Sequence, residues 1–254
     1  MQIGIDLGAT KIESVILKNN GQELGRFRIP CSKNYKNIIK DIKEIVINLD
    51  KKYNKKLDVD LSKALKRKVI CENDANCFAL SEAIDGAAKN YNVVFGIIMG
   101  SGTGGGIVIN KKIIKGANYL SGEWGHLPLP IFGKLNDKKF IKNKISMMQI
   151  QKFTSGKGLE KLYNKKITAR EIFDKSDKFT KSIFIKHFKI RLSRALVNLI
   201  YTIDPDAIVF GGGLSNEINS LNEIKNLNTK FLKARYGDAS GVRGAARLGR
   251  KINY

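Results

Sequence analysis

Asp74 stands directly after Asn73, between an apolar triplet at 69–71 and a helical pattern with Phe78, Ala79, Leu80 and Ala83 on one face. A carboxylate at such a strand-to-helix junction can take a proton from a hydroxyl while the neighbouring amide hydrogen-bonds a second one. Either residue can equally cap the helix. Asp6 closes an apolar strand and precedes Gly8-Ala9-Thr10-Lys11. There it can hold Mg2+ through water, with Thr10 and Lys11 turned to phosphate oxygens; a solvated turn aspartate is the plainer alternative. The run Gly100-Ser101-Gly102-Thr103-Gly104-Gly105-Gly106 lets backbone N–H groups approach an anion with no Cβ in the way, and Ser101 and Thr103 add hydroxyls. Phosphate suits that tip, although ordinary hairpins use glycine too. Gly122-Glu123-Trp124-Gly125-His126 gathers a carboxylate, an indole and an imidazole. Glu123 and His126 can bind polyol hydroxyls, and His126 can equally ligate a metal or sit satisfied in a core. Gly211-Gly212-Gly213, after an apolar strand, lets a flat group such as adenosine reach the backbone.

These groups need elements to position them. Residues 2–7, 12–17 and 23–29 alternate as strands separated by Gly8-Ala9-Thr10-Lys11 and Asn19-Asn20-Gly21, which predicts a three-strand meander. Residues 35–53 carry Ile38, Ile39, Ile42, Ile45, Val46 and Leu49 at helical spacing. A short helix at 60–65, a strand at 69–71 and the helix after Asp74 follow. Residues 93–99 and 107–109 read as two strands joined by the glycine-rich tip. A helix opens at Gly156-Lys157-Gly158, and residues 179–203 form a long amphipathic helix stopped by Asp204-Pro205. Residues 207–210 are a buried strand, and 241–248 a helix of small residues suited to close packing. Residues 131–148 give no periodic signal.

The chain has 254 residues, room for one large or two modest domains. No apolar run reaches the length of a membrane span, and residues 1–6 show no signal-peptide pattern. Cys31, Cys71 and Cys77 lack CxxC spacing, which suits a reducing cytoplasm and argues against a disulfide framework. The formal charge of +23 raises nucleic acid as a partner, but 36 of the 46 basic residues are Lys, scattered among Asn and Ile with no single stripe. Specific nucleic-acid binding is therefore not expected; a basic surface still favours anionic small molecules.

In order, Asp6-Leu7-Gly8-Ala9-Thr10-Lys11, Glu72-Asn73-Asp74-Ala75-Asn76, Gly100 to Gly106, Gly122-Glu123-Trp124-Gly125-His126 and Gly211-Gly212-Gly213 resemble the motifs of the ROK (repressor, ORF, kinase) family of sugar kinases. The likeness spans nearly the whole chain. It implies an α/β protein of the actin-like ATPase (ribonuclease H-like) fold, with two domains around a cleft: residues 1–92 plus 241–254, and 93–240. It also implies phosphoryl transfer from ATP, with Mg2+, to the 6-hydroxyl of N-acetyl-D-glucosamine or a related hexose. On that resemblance Asp74 is the general base, and Asn73, Asp74, Glu123, His126 and Gln151 hold the sugar. Gly4, Ile5, Asp6, Leu7, Gly8, Ala9, Thr10 and Lys11, with Gly102, Thr103, Gly104, Gly105, Gly106, Ile107, Val108 and Ile109, surround the phosphates. Asp6 positions Mg2+ through water, and Gly211, Gly212 and Gly213 flank adenosine. Family members commonly dimerise, which makes a homodimer the assembly expected by analogy.

Two departures accompany the resemblance. The family's Cys-x-Cys-x-x-x-x-Cys zinc loop corresponds here to Lys142 through Gln149, without thiolates, so His126 is a solitary former ligand and structural zinc is not expected. A family glutamate that touches the sugar is Gln151. Between residues 53 and 60 the chain has only a short polar link where the family has a strand and a sugar-binding loop, so the first domain is expected to lack a strand. A degenerate, catalytically inactive family remnant is the competing reading.

Overall fold

The computed structural model describes residues 2–8, 10–34, 37, 38, 40–42, 70, 72–130, 149–163, 168, 169, 171, 172, 178–218 and 227–248. Ala9, the helix expected at 60–65, the link at 54–59, the stretch 131–148 and most of the helix at 35–53 lie outside those residues, as do two of the three residues of the strand expected at 69–71.

Strands β1 (Gln2–Leu7), β2 (Lys11–Leu17) and β3 (Glu23–Pro30) form the expected antiparallel meander, in the order β1-β2-β3. The two-residue alternation separates its faces. Ile12 and Ile16 pack with Ile3, Ile5, Phe27, Ile29 and Ile42 on one side. Val15 and Leu17 point to the other.

A second sheet has the order β6-β5-β4-β7-β8, formed by β4 (Val93–Met99), β5 (Thr103–Ile109), β6 (Lys112–Ile113), β7 (Ala207–Gly211) and β8 (Lys230–Lys233). β4 pairs antiparallel with β5 and parallel with β7. Among the helices are α1 (Asp74–Ile84), α2 (Gln151–Thr154), α3 (Gly156–Tyr163), α4 (Lys178–Ile203) and α5 (Ser240–Arg247). Phe153, Leu159, Phe188, Leu192 and Leu196 from α2, α3 and α4 cover one face of the second sheet with Phe95, Ile97 and Phe210. On the opposite face Phe78, Ala79, Leu80 and Ala83 of α1 pack on Val94, Val108, Ala207 and Val209.

The glycine-rich run differs from its expectation. The tip is only Gly100-Ser101-Gly102, and β5 already begins at Thr103, with Met99 paired to Thr103. The three consecutive glycines are strand residues because other elements press on them. A Cβ on Gly106 would stand 2.7 Å from the Ala75 carbonyl oxygen, and one on Gly105 would stand 2.6 Å from Trp124 Cδ1. Helix α1 thereby lies directly on β5.

Helix α5 joins the two sheets. Val242 and Ala246 pack on Val15 and Leu17, and a Cβ at Gly4 would overlap the Val242 carbonyl. A Cβ at Gly244 would overlap the Cys77 carbonyl of α1. The small residues expected to allow close packing are thus used against β1 on one side and α1 on the other. The seam between the sheets is the α1–α5 helix pair.

Polar groups seal the far end of that seam. Arg243 and Arg247 both bind the Asp85 carboxylate just beyond α1. They also reach the meander's turn, Arg243 Nη2 donating to the Gly21 carbonyl at 3.0 Å and Arg247 Nη1 to the Asn19 carbonyl at 3.2 Å. Helix α4 stops at Asp204, whose φ of +47° breaks the helical path ahead of Pro205. No described helix is long and apolar enough to cross a membrane.

On the meander, Glu13 is buried yet faces three cations: Arg28 Nη2 at 2.9 Å, Arg26 Nη1 at 3.1 Å and Lys11 Nζ at 3.3 Å. Burial pushes the Glu13 carboxyl up, and the hydrogen bonds from Arg28, Lys11 and Arg26 more than offset it, leaving it below the usual range. A depressed carboxyl contributes stability above its unfolded pKa and loses it as pH falls through the folded one. Glu13→Gln is therefore expected to cost about 1–2 kcal/mol at pH 7, moderated because its partners are partly exposed. Thermal melts from pH 7 to 3 should show the gap between wild type and variant closing at the acid end.

Candidate active site

The ends of β4 and β7 bring two glycine turns together. Because the strands run parallel, with Ile98 opposite Gly211, the tip at Gly100-Ser101-Gly102 and the turn at Gly211-Gly212-Gly213 emerge side by side at the carboxyl edge of the sheet. That edge is where open α/β sheets commonly take ligands. A Cβ added at Gly100, Gly102 or Gly213 would meet nothing within 4 Å, so there is room beside these Cα atoms. Gly212 has φ +80° and lies against the Met99 backbone, a position that requires glycine.

Asp74 begins α1 at the same edge. Asn73 caps the helix, its Oδ1 accepting from Ala75 N at 2.8 Å and, more weakly, from Asn76 N at 3.4 Å. Asp74 Oδ1 accepts from Ala75 N at 2.8 Å, and the side chain is exposed. The capping alternative thus applies to Asn73, while Asp74 faces solvent beside the glycine strand: a Cβ on Gly104 would lie 3.2 Å from Ala75 Cβ.

Asp6 arrives from the other sheet. Its place at the end of β1 puts it near the start of α5, where a Cβ on Gly241 would lie 3.9 Å from Asp6 Oδ2. Burial raises the Asp6 carboxyl above its usual range; the Asp74 charge raises it further, as does Glu13 opposite it in the sheet, while Lys11 pulls it back. Asp6 and Asp74, 68 positions apart in sequence, are therefore within electrostatic reach across the α1–α5 seam. Beside them the β1–β2 turn closes with Gly8 N donating to the Lys11 carbonyl at 2.9 Å, and Thr10 is exposed.

The same charges act on Cys77, one turn into α1. Burial, then Glu72, Asp74 and Asp6, push its thiol up to about 12. Thiolate is the reactive form, so Cys77 is expected to resist alkylation at pH 7.5 while Cys31, only partly buried, reacts. Peptide mass mapping after brief iodoacetamide treatment of the folded protein checks this; labelling of Cys77 ahead of Cys31 would refute it.

A third cluster forms around His126. Its Nε2 stands 3.4 Å from Glu123 Oε2, and Nδ1 lies 3.5 Å from Gln149 Nε2 and 3.4 Å from Gln151 Nε2. Ile150 N donates to the Leu127 carbonyl at 2.9 Å, which holds the glutamines against the Trp124–His126 turn. Trp124 is buried with its ring edge-on to Phe95, 6.2 Å between centroids. Among the described residues no group of three or more His, Cys, Asp or Glu side chains could hold a metal. That donor set does not fit structural zinc, which takes four such ligands. Mg2+ asks for less, one or two carboxylates together with water and phosphate oxygens, and Asp6, whose carboxyl is raised by burial and by the Asp74 charge, is the residue that would hold it.

Not every residue expected at the site faces it. Gly4 is covered by α5, Ile5 packs in the meander's core and Val108 lies under α1. The Thr103 hydroxyl is buried and shares a hydrogen bond with Thr154 at 3.1 Å, which removes it from the exposed tip. Sequence reading did not single out Glu72 and Lys115, an ion pair of 2.7 Å at the foot of α1. No local pattern marks a pair 43 positions apart.

A family model described as the ROK family matches residues 48–252. The N-acetyl-D-glucosamine kinase of Escherichia coli O127:H6 is 31% identical over 300 residues, covering 98% of this chain and 99% of that relative. The chain belongs to the ROK family. Among solved structures, the ROK hexokinase from Thermus thermophilus is similar with a TM-score of 0.80 at 22% identity, covering 96% of each chain. A ROK family glucokinase from Streptomyces griseus, in complex with glucose and AMPPNP, has a TM-score of 0.73 at 20% identity over 97% of this chain and 98% of that one. The fold is accordingly the actin-like ATPase fold of ROK proteins, as the motifs implied. The E. coli alignment runs over 300 residues where this chain has 254, so that ROK relative carries segments without a counterpart here.

Proposed function

We propose that this ROK protein transfers the terminal phosphoryl group of ATP to the 6-hydroxyl of N-acetyl-D-glucosamine or a related hexose, in a cleft whose floor is the α1–α5 seam. The chain is a sugar kinase. The observation that carries the finer reading is that Asp6, at the end of β1, lies within electrostatic reach of Asp74, at the start of α1, at the edge where the two glycine turns emerge and a Cβ on Gly100, Gly102 or Gly213 would meet nothing within 4 Å. The N-acetyl-D-glucosamine kinase named among the relatives supports the choice of sugar.

In this reading Asn73, Glu123, His126 and Gln151 hold ring hydroxyls. Asp74 receives the proton of the attacking hydroxyl as the new O–P bond forms and the bond to the ADP oxygen breaks. Mg2+, when bound near Asp6 through water, supplies charge neutralisation at the phosphates. The turn at Gly8, Ala9, Thr10 and Lys11 and the tip at Gly102 lie against the phosphates, and Gly211 to Gly213 lie against adenosine. Alignment and charge neutralisation are most of what phosphoryl transfer asks of a protein, and closure of two domains (1–92 with 241–254, and 93–240) excludes water. A cytoplasmic homodimer without a specific nucleic-acid partner completes the proposal, in keeping with lysines scattered along the sequence.

The inactive-remnant reading draws on the segments present in the E. coli relative and absent here. Purified protein with MgATP and N-acetyl-D-glucosamine decides. ADP release matched by phosphate on O6, seen by 31P NMR, and none with the 6-deoxy sugar, supports the kinase; background rates with every hexose support the remnant.

A further inference from the structure

Glu72 is a buried carboxylate, its side chain 6% exposed, one residue ahead of the cap of α1. Its Oε1 accepts from the backbone N of Asn73 and from Asn76 Nδ2, both at 3.0 Å, and Lys115 Nζ stands 2.7 Å from Oε2. Burial pushes the carboxyl up, but Lys115, Asn76 and the Asn73 N–H together bring it below the usual range, so it is ionised. Lys115 comes from the segment that leaves β6 and runs to Glu123 and His126. Its backbone belongs to that segment's own fold: the Lys115 carbonyl accepts from Ser121 N at 3.3 Å, Glu123 N donates to the Leu120 carbonyl at 3.2 Å, and Trp124 N to Gly122 at 2.7 Å.

We propose that Glu72 and Lys115 are positioning residues forming a latch that ties the segment carrying Glu123, Trp124 and His126 to the helix cap carrying Asn73 and Asp74. One end of the latch fixes the Asn73 backbone and the Asn76 side chain; the other fixes the start of the loop that presents the sugar-holding groups. The two sides of the acceptor site then stay in register. The nucleotide side, built on the β1–β2 turn and the tips of β4 and β7, has no part in it. The inference rests on the kinase reading for its consequence in catalysis, but not for the latch itself.

Trp124 is the chain's single tryptophan, buried within the latched segment, so its fluorescence reports on the latch without any turnover. In the full-length protein, Lys115→Met and Glu72→Gln are each expected to increase acrylamide quenching of Trp124. Each should also raise KM for N-acetyl-D-glucosamine roughly 10–100-fold with KM for ATP unchanged, as for displaced positioning groups. The double variant should be no worse than either single one, and Lys115→Arg should restore both readings. Unchanged quenching, additive single effects, or equal losses for sugar and ATP would overturn the latch. If wild type turns over no sugar, the kinase reading fails while the quenching series still decides whether the latch exists.

Discussion

Asp74→Asn is expected to reduce kcat for sugar phosphorylation by about 10²–10⁴-fold, the range that a general base contributes. The substitution is close to isosteric, and the local structure gives it little to disturb. Asn73 caps α1 through its own Oδ1, and an amide oxygen at position 74 can still accept from Ala75 N as the carboxylate oxygen does at 2.8 Å. The side chain is exposed, so no core contact is lost. What disappears is the capacity to take a proton, together with one of two neighbouring negative charges. Removing that charge lowers the Asp6 carboxyl toward its ordinary range, because Asp74 is among the groups that raise it. Nucleotide binding should therefore survive while turnover collapses. ADP release followed with MgATP and N-acetyl-D-glucosamine, alongside a melt showing an unchanged midpoint, checks both halves. Equal turnover by the variant and a catalytically competent wild type would remove Asp74 from the mechanism.

The largest effect on stability is expected from Glu82→Ala. Glu82 is fully buried in α1 and lies away from the candidate site. Its carboxylate accepts from Ala87 N at 2.8 Å, Arg235 N at 3.0 Å, Tyr236 N at 3.3 Å and Ser240 Oγ at 2.7 Å. Four donors from three parts of the chain thus end on one side chain: the turn after α1, the link after β8 and the start of α5. Each buried donor left without an acceptor costs about 1–3 kcal/mol, and water entering the space recovers part of that. A net loss of about 3–5 kcal/mol follows, a large share of the ~5–15 kcal/mol that holds a domain together. At this chain length it corresponds to a fall in midpoint of roughly 6–20 °C. Glu82→Gln, which keeps an acceptor oxygen but turns an NH2 toward the donors, should fall between. Urea denaturation of the three proteins tests the order; a midpoint for Glu82→Ala equal to wild type would show that the four bonds add nothing net.

Local pattern was enough for much of this protein. The alternation in residues 2–7, 12–17 and 23–29 specified the meander and its two faces, because a strand's buried side is written at every second residue. The helical spacing of Leu192, Leu196 and Leu199 specified α4 and its inner face, and Asp204-Pro205 its end, since a ring that fixes φ and removes an N–H acts on the chain next to it. The motif order identified the family and, through it, the fold.

Only the tertiary structure decided what the glycines at 104, 105 and 106 do. In sequence they continue a phosphate-binding tip; in space α1 and Trp124 press on Gly105 and Gly106, and the tip ends at Gly102. It likewise decided that α1 packs on the second sheet as well as against α5, that Glu82 gathers donors more than 150 positions away, and that Glu72 meets Lys115. The physical reason is the same in each case. A residue's own backbone preference and buried face are set by its immediate neighbours, whereas a close approach or an ion pair depends on which distant segment arrives opposite, and that depends on the packing of the whole chain.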